Sequence, residues 1–221
     1  MVNIQQKTQE KIDTFFKQFP TSTYPKDQVL LSMGEPVHYF YFIETGAVKM
    51  TKITEAGRNL ILHIFFPKSF FSLLSLVSHD INAYDFITLM PTTLRKVPRA
   101  ELLTFLQTDN DVLYELYLRL LKGLTGLLNR IEQSSLNPAE MQVSSLLVYF
   151  ANHFSEPDLE SSSKLRQLSL KITHQEIADW LGLSRENVTL QIKALEAAHL
   201  IKIKDHRIKI QDFEKLRKVA Y

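Results

Sequence analysis

The sequence predicts an α+β protein in three parts: an N-terminal antiparallel β-roll of the double-stranded β-helix or jelly-roll kind, one long helix, and a C-terminal winged helix-turn-helix. Three observations predict it. Between about residues 24 and 97, short apolar runs rich in aromatic and β-branched residues alternate with turn residues, as in a small antiparallel barrel or roll. From Asp109 to Ser134, apolar residues recur at steps of three and four. From Thr173 onward the order is capped helix, glycine turn, capped helix, then two strictly alternating strands.

Composition narrows the classes. At 221 residues, 45% hydrophobic and 23% charged, the chain can bury real cores and does not read as disordered or fibrous. A net charge of +2 argues against a chain that is basic throughout. The charge is uneven, however: residues 164–221 hold 12 Lys/Arg against 7 Asp/Glu, and residues 1–163 hold 14 against 17. The absence of Cys removes disulfides, thiol nucleophiles and thiolate metal sites. The N-terminus has no apolar core of a signal peptide and no run approaches about 18 apolar residues, so no membrane span and a cytoplasmic location are expected.

The first element is a helix over 4–19, with Ile4, Ile12, Phe15, Phe16 and Phe19 apolar and Pro20 closing it. Strands are expected at Gln28–Leu31, Val37–Ile43, Ala47–Ile53, Leu60–Phe66, Phe86–Met90 and Thr93–Val97, with a hairpin at Glu55–Arg58. A short helix over Arg99–Gln107 follows, and with it the first domain spans 1–108. The long helix, 109–137, opens on acidic residues that suit its N-terminal dipole. Leu113, Tyr117, Leu120, Leu124, Leu127 and Ile131 form a coiled-coil-like seam along it, so self-pairing into a homodimer is expected. Leu116, Leu121 and Leu128 widen the stripe and keep open the plainer reading, a helix buried in its own domain. Asn137-Pro138 begins the last domain, 138–221, with a helix over 139–154 and a polar loop over Ser155–Ser163.

Thr173 and Glu176 stand at N-cap and N3, the spacing of a capping box. Ile177, Ala178 and Leu181 supply the inner face of that helix, and Gly182 suits the left-handed residue after it. Ser184 caps a second helix with Val188, Ile192 and Leu195 inward and Glu186, Thr189, Leu190 and Lys193 outward, while Arg185 extends from the first turn. That is the layout of a recognition helix entering a major groove. Ile201–Lys204 and Arg207–Ile210 then alternate isoleucine with Lys or Arg around Asp205-His206, as a small wing would.

Thr173-His174-Gln175-Glu176-Ile177-Ala178 followed by Gly182-Leu183-Ser184-Arg185-Glu186-Asn187-Val188 resembles the helix-turn-helix of the Crp/Fnr transcription regulators. The resemblance covers nearly the whole chain: a roll similar to a cyclic-nucleotide-binding domain, a dimerisation helix and a winged reader. It implies double-stranded DNA as partner, with Arg185 donating to guanine, Glu186 accepting from cytosine, and Thr189 and Leu190 beside them on the base-reading face. It also implies phosphate contacts from Thr173, His174, Gln175, Ser184 and Lys193. Plainer readings stand beside these: Thr173 and Ser184 as helix caps, Glu186 as a dipole partner, Lys193 as a solvated lysine. Two departures matter. His174 stands where the family often has a permanently basic residue, and Leu190 where many members have Arg, so the operator should differ from the best-known consensus.

The effector is a separate question. Cyclic-AMP-binding relatives carry a Gly-Glu helix start and an Arg-Ser/Thr-Ala segment, whereas this chain has Phe70–Leu76 and Asp80–Tyr84. Without that Arg a buried cyclic phosphate would lack its cation, so cyclic AMP in the usual mode is not expected. Phe71, Leu73, Leu74, Asn82, Ala83 and Tyr84 are the candidate lining for another, less charged effector, or else the pocket is filled by side chains. His63 and His79 lack metal-ligand spacing, so neither metal nor cofactor is expected. No nucleophile elbow, His-Glu-x-x-His or phosphate-cradling glycine loop occurs, which sets an enzyme aside. RNA polymerase is a further candidate partner. The competing function is an effector sensor that signals through a protein partner and keeps only a vestigial DNA-binding domain.

Overall fold

In the β-roll, period-two alternation sends neighbouring residues to opposite faces of a sheet, and along the strand at Tyr39–Thr45 both faces are buried. The computed structural model describes residues 2–55, 57–76, 81–156, 166–168, 170–204 and 207–221. Two compact units emerge, one of Met1–Lys52 with Leu62–Leu128, the other of Ile53–Ile61 with Asn129–Tyr221.

The first unit opens with α1 (Val2–Lys17). The strands are β1 (Thr21–Tyr24), β2 (Val29–Leu31), β3 (Tyr39–Thr45), β4 (Val48–Ile53), β5 (Asn59–Phe65), β6 (Phe70–Phe71), β7 (Asp85–Thr88) and β8 (Thr92–Pro98). They form two antiparallel sheets, ordered β1-β8-β3-β6 and β2-β7-β4-β5. The helix α2 (Arg99–Thr108) follows, and then α3 (Asn110–Leu136), whose residues from Asn129 on belong to the second unit. Asp109 Oδ1 accepts the Val112 N–H at 3.2 Å, which satisfies an otherwise orphaned donor of α3's first turn.

Strand β3 explains the continuous apolar run at Tyr39–Ile43. Phe40 and Phe42 join Ile12 and Phe16 of α1 with Phe70, Val97, Leu102, Leu106 and Val112, in a core between one sheet and the helices. Tyr41 and Ile43 face the other way, into a second core with Leu31, Val37, Val48, Met50, Phe71, Phe86 and Leu94. Phe70 and Phe71 divide in the same manner, one to each core.

The second unit contains α4 (Ala139–Phe154), β9 (Ser155–Glu156), β10 (Arg166–Leu168), α5 (His174–Leu181), α6 (Arg185–Ala197), β11 (Ile201–Lys204), β12 (Arg207–Ile210) and α7 (Phe213–Ala220). Helix α4 packs against α5, α6 and α7, and presents buried Val143, Leu147, Phe150 and Ala151 to them. The sheet order is β11-β12-β10-β9. Arg130, near the end of α3, lies over the Trp180 ring at 4.6 Å and donates to the carbonyl oxygens of Trp180 and Ile61. Burial lowers its pKa from the ordinary arginine value, and burial pushes the nearby Tyr149 phenol up to about 12.

Several elements differ from expectation. The expected polar loop at Ser155–Ser163 begins instead with β9, because Ser155 and Glu156 pair with Leu168 and Gln167; residues 157–163 lie outside the described residues. The wing turn Asp205-His206 lies outside them too. β1, β6, β10 and α7 are additions to the sequence reading. β1 is an exposed edge strand without apolar alternation, and β6 is too short to show a period.

Gly46 joins β3 to β4 at a φ of +90°, and a Cβ there would lie 2.5 Å from Pro91 O and 2.5 Å from Thr92 Oγ1. Thr92 cannot yield readily, since its hydroxyl accepts the Ala47 N–H at 3.2 Å and lies 3.1 Å from the Ala47 carbonyl oxygen. Gly46→Ala combines overpacking with a left-handed backbone and is expected to cost about 3 kcal/mol or more of stability, read as a lowered urea midpoint.

Candidate nucleic-acid interface

The two helices that would meet DNA are held by their caps. Thr173 Oγ1 accepts the Glu176 N–H at 3.1 Å, and the Glu176 carboxylate accepts the Thr173 N–H at 2.9 Å, a complete capping box at the start of α5. Gly182 ends α5 in the left-handed conformation, with φ +71° and ψ +19°, and its N–H reaches the Ala178 carbonyl at 2.8 Å. Two residues later Ser184 Oγ accepts the Asn187 N–H at 3.1 Å and starts α6.

The rotation of α6 is set by fully buried Val188, Ile192 and Leu195. Arg185, Glu186, Thr189, Leu190 and Lys193 therefore share one outward face, as the sequence spacing predicts. Four of them are exposed, Leu190 at 64%, and Thr189 is half-buried. A large exposed aliphatic residue between a cation and an anion is poorly suited to water and well suited to a partner that offers a methyl group.

The five expected phosphate contacts lie on or beside the same two helices. Thr173, Gln175, Ser184 and Lys193 are exposed and His174 is half-buried. The hydroxyls of Thr173 and Ser184 already serve as caps, so the cap reading of both is what the geometry displays. Gln175 donates to Asp179 on its own helix at 2.7 Å. His174 Nδ1 lies 3.0 Å from Thr189 Oγ1, a bond between α5 and α6 across fifteen residues of sequence that no local pattern reveals.

The wing adds a feature the sequence reading named only as outward basic residues. In the β11–β12 register Lys202 stands opposite Lys209 and Lys204 opposite Arg207, while Ile201, Ile208 and Ile210 are buried. Directly opposed like charges destabilise a strand pair. Two such pairs on one hairpin are relieved when a polyanion lies against them.

The candidate effector residues divide between the two cores and the surface. Phe71 is buried within a set of rings, stacked on Tyr41 at 5.0 Å and on Phe86 at 4.9 Å. Burial pushes the Tyr41 phenol up to about 12. Tyr84 borders that core, whereas Leu73 packs against the other one and Leu74 is exposed. Asn82 is buried and its amide donates to the Ser32 carbonyl at 2.7 Å and to the Tyr84 carbonyl, so it works as a loop fastener; Ala83 beside it is half-buried. His63 sits edge-on to Phe65 at 4.6 Å, and His79 lies outside the described residues. Among the described residues no three of His, Asp or Glu are grouped as a metal site requires, and no helix is long and apolar enough to cross a membrane.

A winged helix presenting such a face, preceded by a cyclic-nucleotide-binding type of roll, defines a DNA-binding regulator. The family model for the cyclic nucleotide-binding domain matches residues 21–109, and that for the Crp-like helix-turn-helix domain matches residues 142–219. The chain is 26% identical over 196 residues to the global nitrogen regulator of Synechocystis sp., which covers 86% of this chain and 84% of that protein. It is 24% identical over 182 residues to the cAMP-activated global transcriptional regulator CRP of Pasteurella multocida, over 80% of this chain and 83% of that one. The structure of FixK2 from Bradyrhizobium japonicum shares the fold, with a TM-score of 0.77 at 20% identity over 92% of this chain and 98% of that one. The chain belongs to the Crp/Fnr family of transcription regulators and is not an enzyme.

Thr173→Ala removes the capping hydroxyl and is expected to cost about 1 kcal/mol of stability. Urea unfolding followed by Trp180, the chain's single tryptophan, would read it, and an unchanged midpoint would contradict the cap.

Proposed function

We propose that this chain is a homodimeric, sequence-specific transcription regulator that reads a pseudo-palindromic operator in double-stranded DNA. The observation that carries the reading is the exposed face of α6, fixed in rotation by its buried stripe and flanked by opposed cations on the wing. Arg185 would donate to guanine O6 and N7, Glu186 would accept from cytosine N4, and Leu190 would meet a thymine methyl, with Thr189 beside it. Thr173, His174, Gln175, Ser184 and Lys193 would lie along the phosphates.

The working division is a sensor roll over 1–108, a dimerisation helix over 109–137 and a reader over 138–221. Support for the dimer comes from the long helix, where Leu113, Tyr117, Leu120, Leu124, Leu127 and Ile131 are each about half exposed or more. Leu121 and Leu128 are exposed as well, against the plainer reading of a helix buried in its own domain. An apolar stripe of that length at heptad-like steps suits a second copy of itself. Two such readers would engage half-sites about 34 Å apart, one turn of DNA. Any effector of the roll would act by favouring one of two dimer arrangements. The aromatic filling and the missing Arg argue against cyclic AMP as that effector. A cytoplasmic location and an encounter with RNA polymerase follow from this reading.

Arg185→Ala should weaken binding to a selected operator far more than binding to random duplex, by about 1–3 kcal/mol, measured by fluorescence anisotropy; equal losses on both would reduce Arg185 to a phosphate contact. Leu124→Glu with Leu127→Glu should convert the protein to monomer in sedimentation velocity, and an unchanged dimer would place the interface elsewhere.

A further inference from the structure

The bond between His174 and Thr189 determines where the imidazole carries its proton. Thr189 Oγ1 lies 2.8 Å from the Arg185 carbonyl oxygen, an i to i−4 contact between two oxygens. A carbonyl has no proton to give, so the single hydroxyl proton of Thr189 is committed there. The 3.0 Å contact with His174 must then be donated by the ring, and Nδ1 carries a proton. Among the described residues the imidazole has no second hydrogen-bond partner, which leaves Nε2 for a ligand.

In the neutral ring, Nε2 is an acceptor. A phosphate oxygen is also an acceptor, so the two repel until the ring gains a second proton. We propose that His174 is a proton-gated phosphate contact, which makes DNA binding by this chain linked to proton uptake. The proposal rests on the DNA-binding reading above and on His174 lying near the backbone in it.

The charged groups around the ring do not duplicate this behaviour. On its own helix, Glu176 is committed to the cap and Asp179 accepts from Gln175. Lys171 precedes that helix. On the facing helix Arg185, Glu186 and Lys193 line the surface that includes Thr189. An imidazole is the side chain whose charge ordinarily changes between about pH 5 and 8, and carboxylates, Lys and Arg keep theirs through that range. A phosphate beside the ring raises its affinity for the proton. Proton uptake on binding therefore makes the contact stronger at lower pH and weaker as pH rises.

The test is anisotropy of the full chain on a duplex enriched by it from a random pool, from about pH 6 to pH 8 at constant ionic strength. Wild-type affinity should fall about tenfold per protomer over that range. His174→Gln, which donates without titrating, should flatten the profile. Thr189→Val, which frees the ring to place its one proton on Nε2, should lessen the slope without abolishing it, an outcome that a purely structural bond would not produce. A slope that survives His174→Gln, or a flat wild-type profile with salt-dependent binding intact, overturns the proton linkage alone. Absence of any salt-dependent binding at every pH overturns the DNA-binding reading beneath it.

Discussion

A recognition helix carries information only while its rotation about its own axis is fixed. Each residue advances the helix by about 100°, so a slip of one position would replace the face of Arg185, Glu186, Leu190 and Lys193 with a different one. Val188, Ile192 and Leu195 prevent the slip by full burial. The capping box on α5, the left-handed Gly182 and the Ser184 cap then place the start of α6 relative to α5. Helices α4 and α5 and strand β11 pack against α6 and keep this stripe dry.

The roll meets a different demand, that of burying a sheet on both faces in a small unit. Strand β3 does so by alternation, with phenylalanines toward the helices and Tyr41 and Ile43 toward the second sheet. The rings of Tyr41, Phe71, Phe86 and Phe65 meet one another in the second core. Across 80% of this chain a Pasteurella relative described as cAMP-activated is similar in sequence, and in this chain the second core is built around those stacked rings.

The reader was legible in the sequence because its determinants are local. Caps lie three residues from the groups they bond, Gly182 announces its own conformation, and the alternation of the wing is read residue by residue. The lining of the roll was not legible in the same way. Phe71 and Leu73 are two residues apart and, in a continued strand, would share a face; the chain leaves β6 through Ser72 at a φ of +75°, and they enter different cores. β9 and β10 are too short to show a period and are defined by pairing, β9 with β10 and β10 with β12. The His174–Thr189 bond and the Arg130–Trp180 stack join residues 15 and 50 positions apart, for which one sequence carries no pairing signal.

Arg130 has a mechanical consequence. Its planar guanidinium lies against the Trp180 ring and donates to two carbonyl oxygens, and withdrawing it would bare the ring and strand a half-buried cation. The last turns of α3 and the body of α5 are thereby clamped to each other across Asn137 and Pro138.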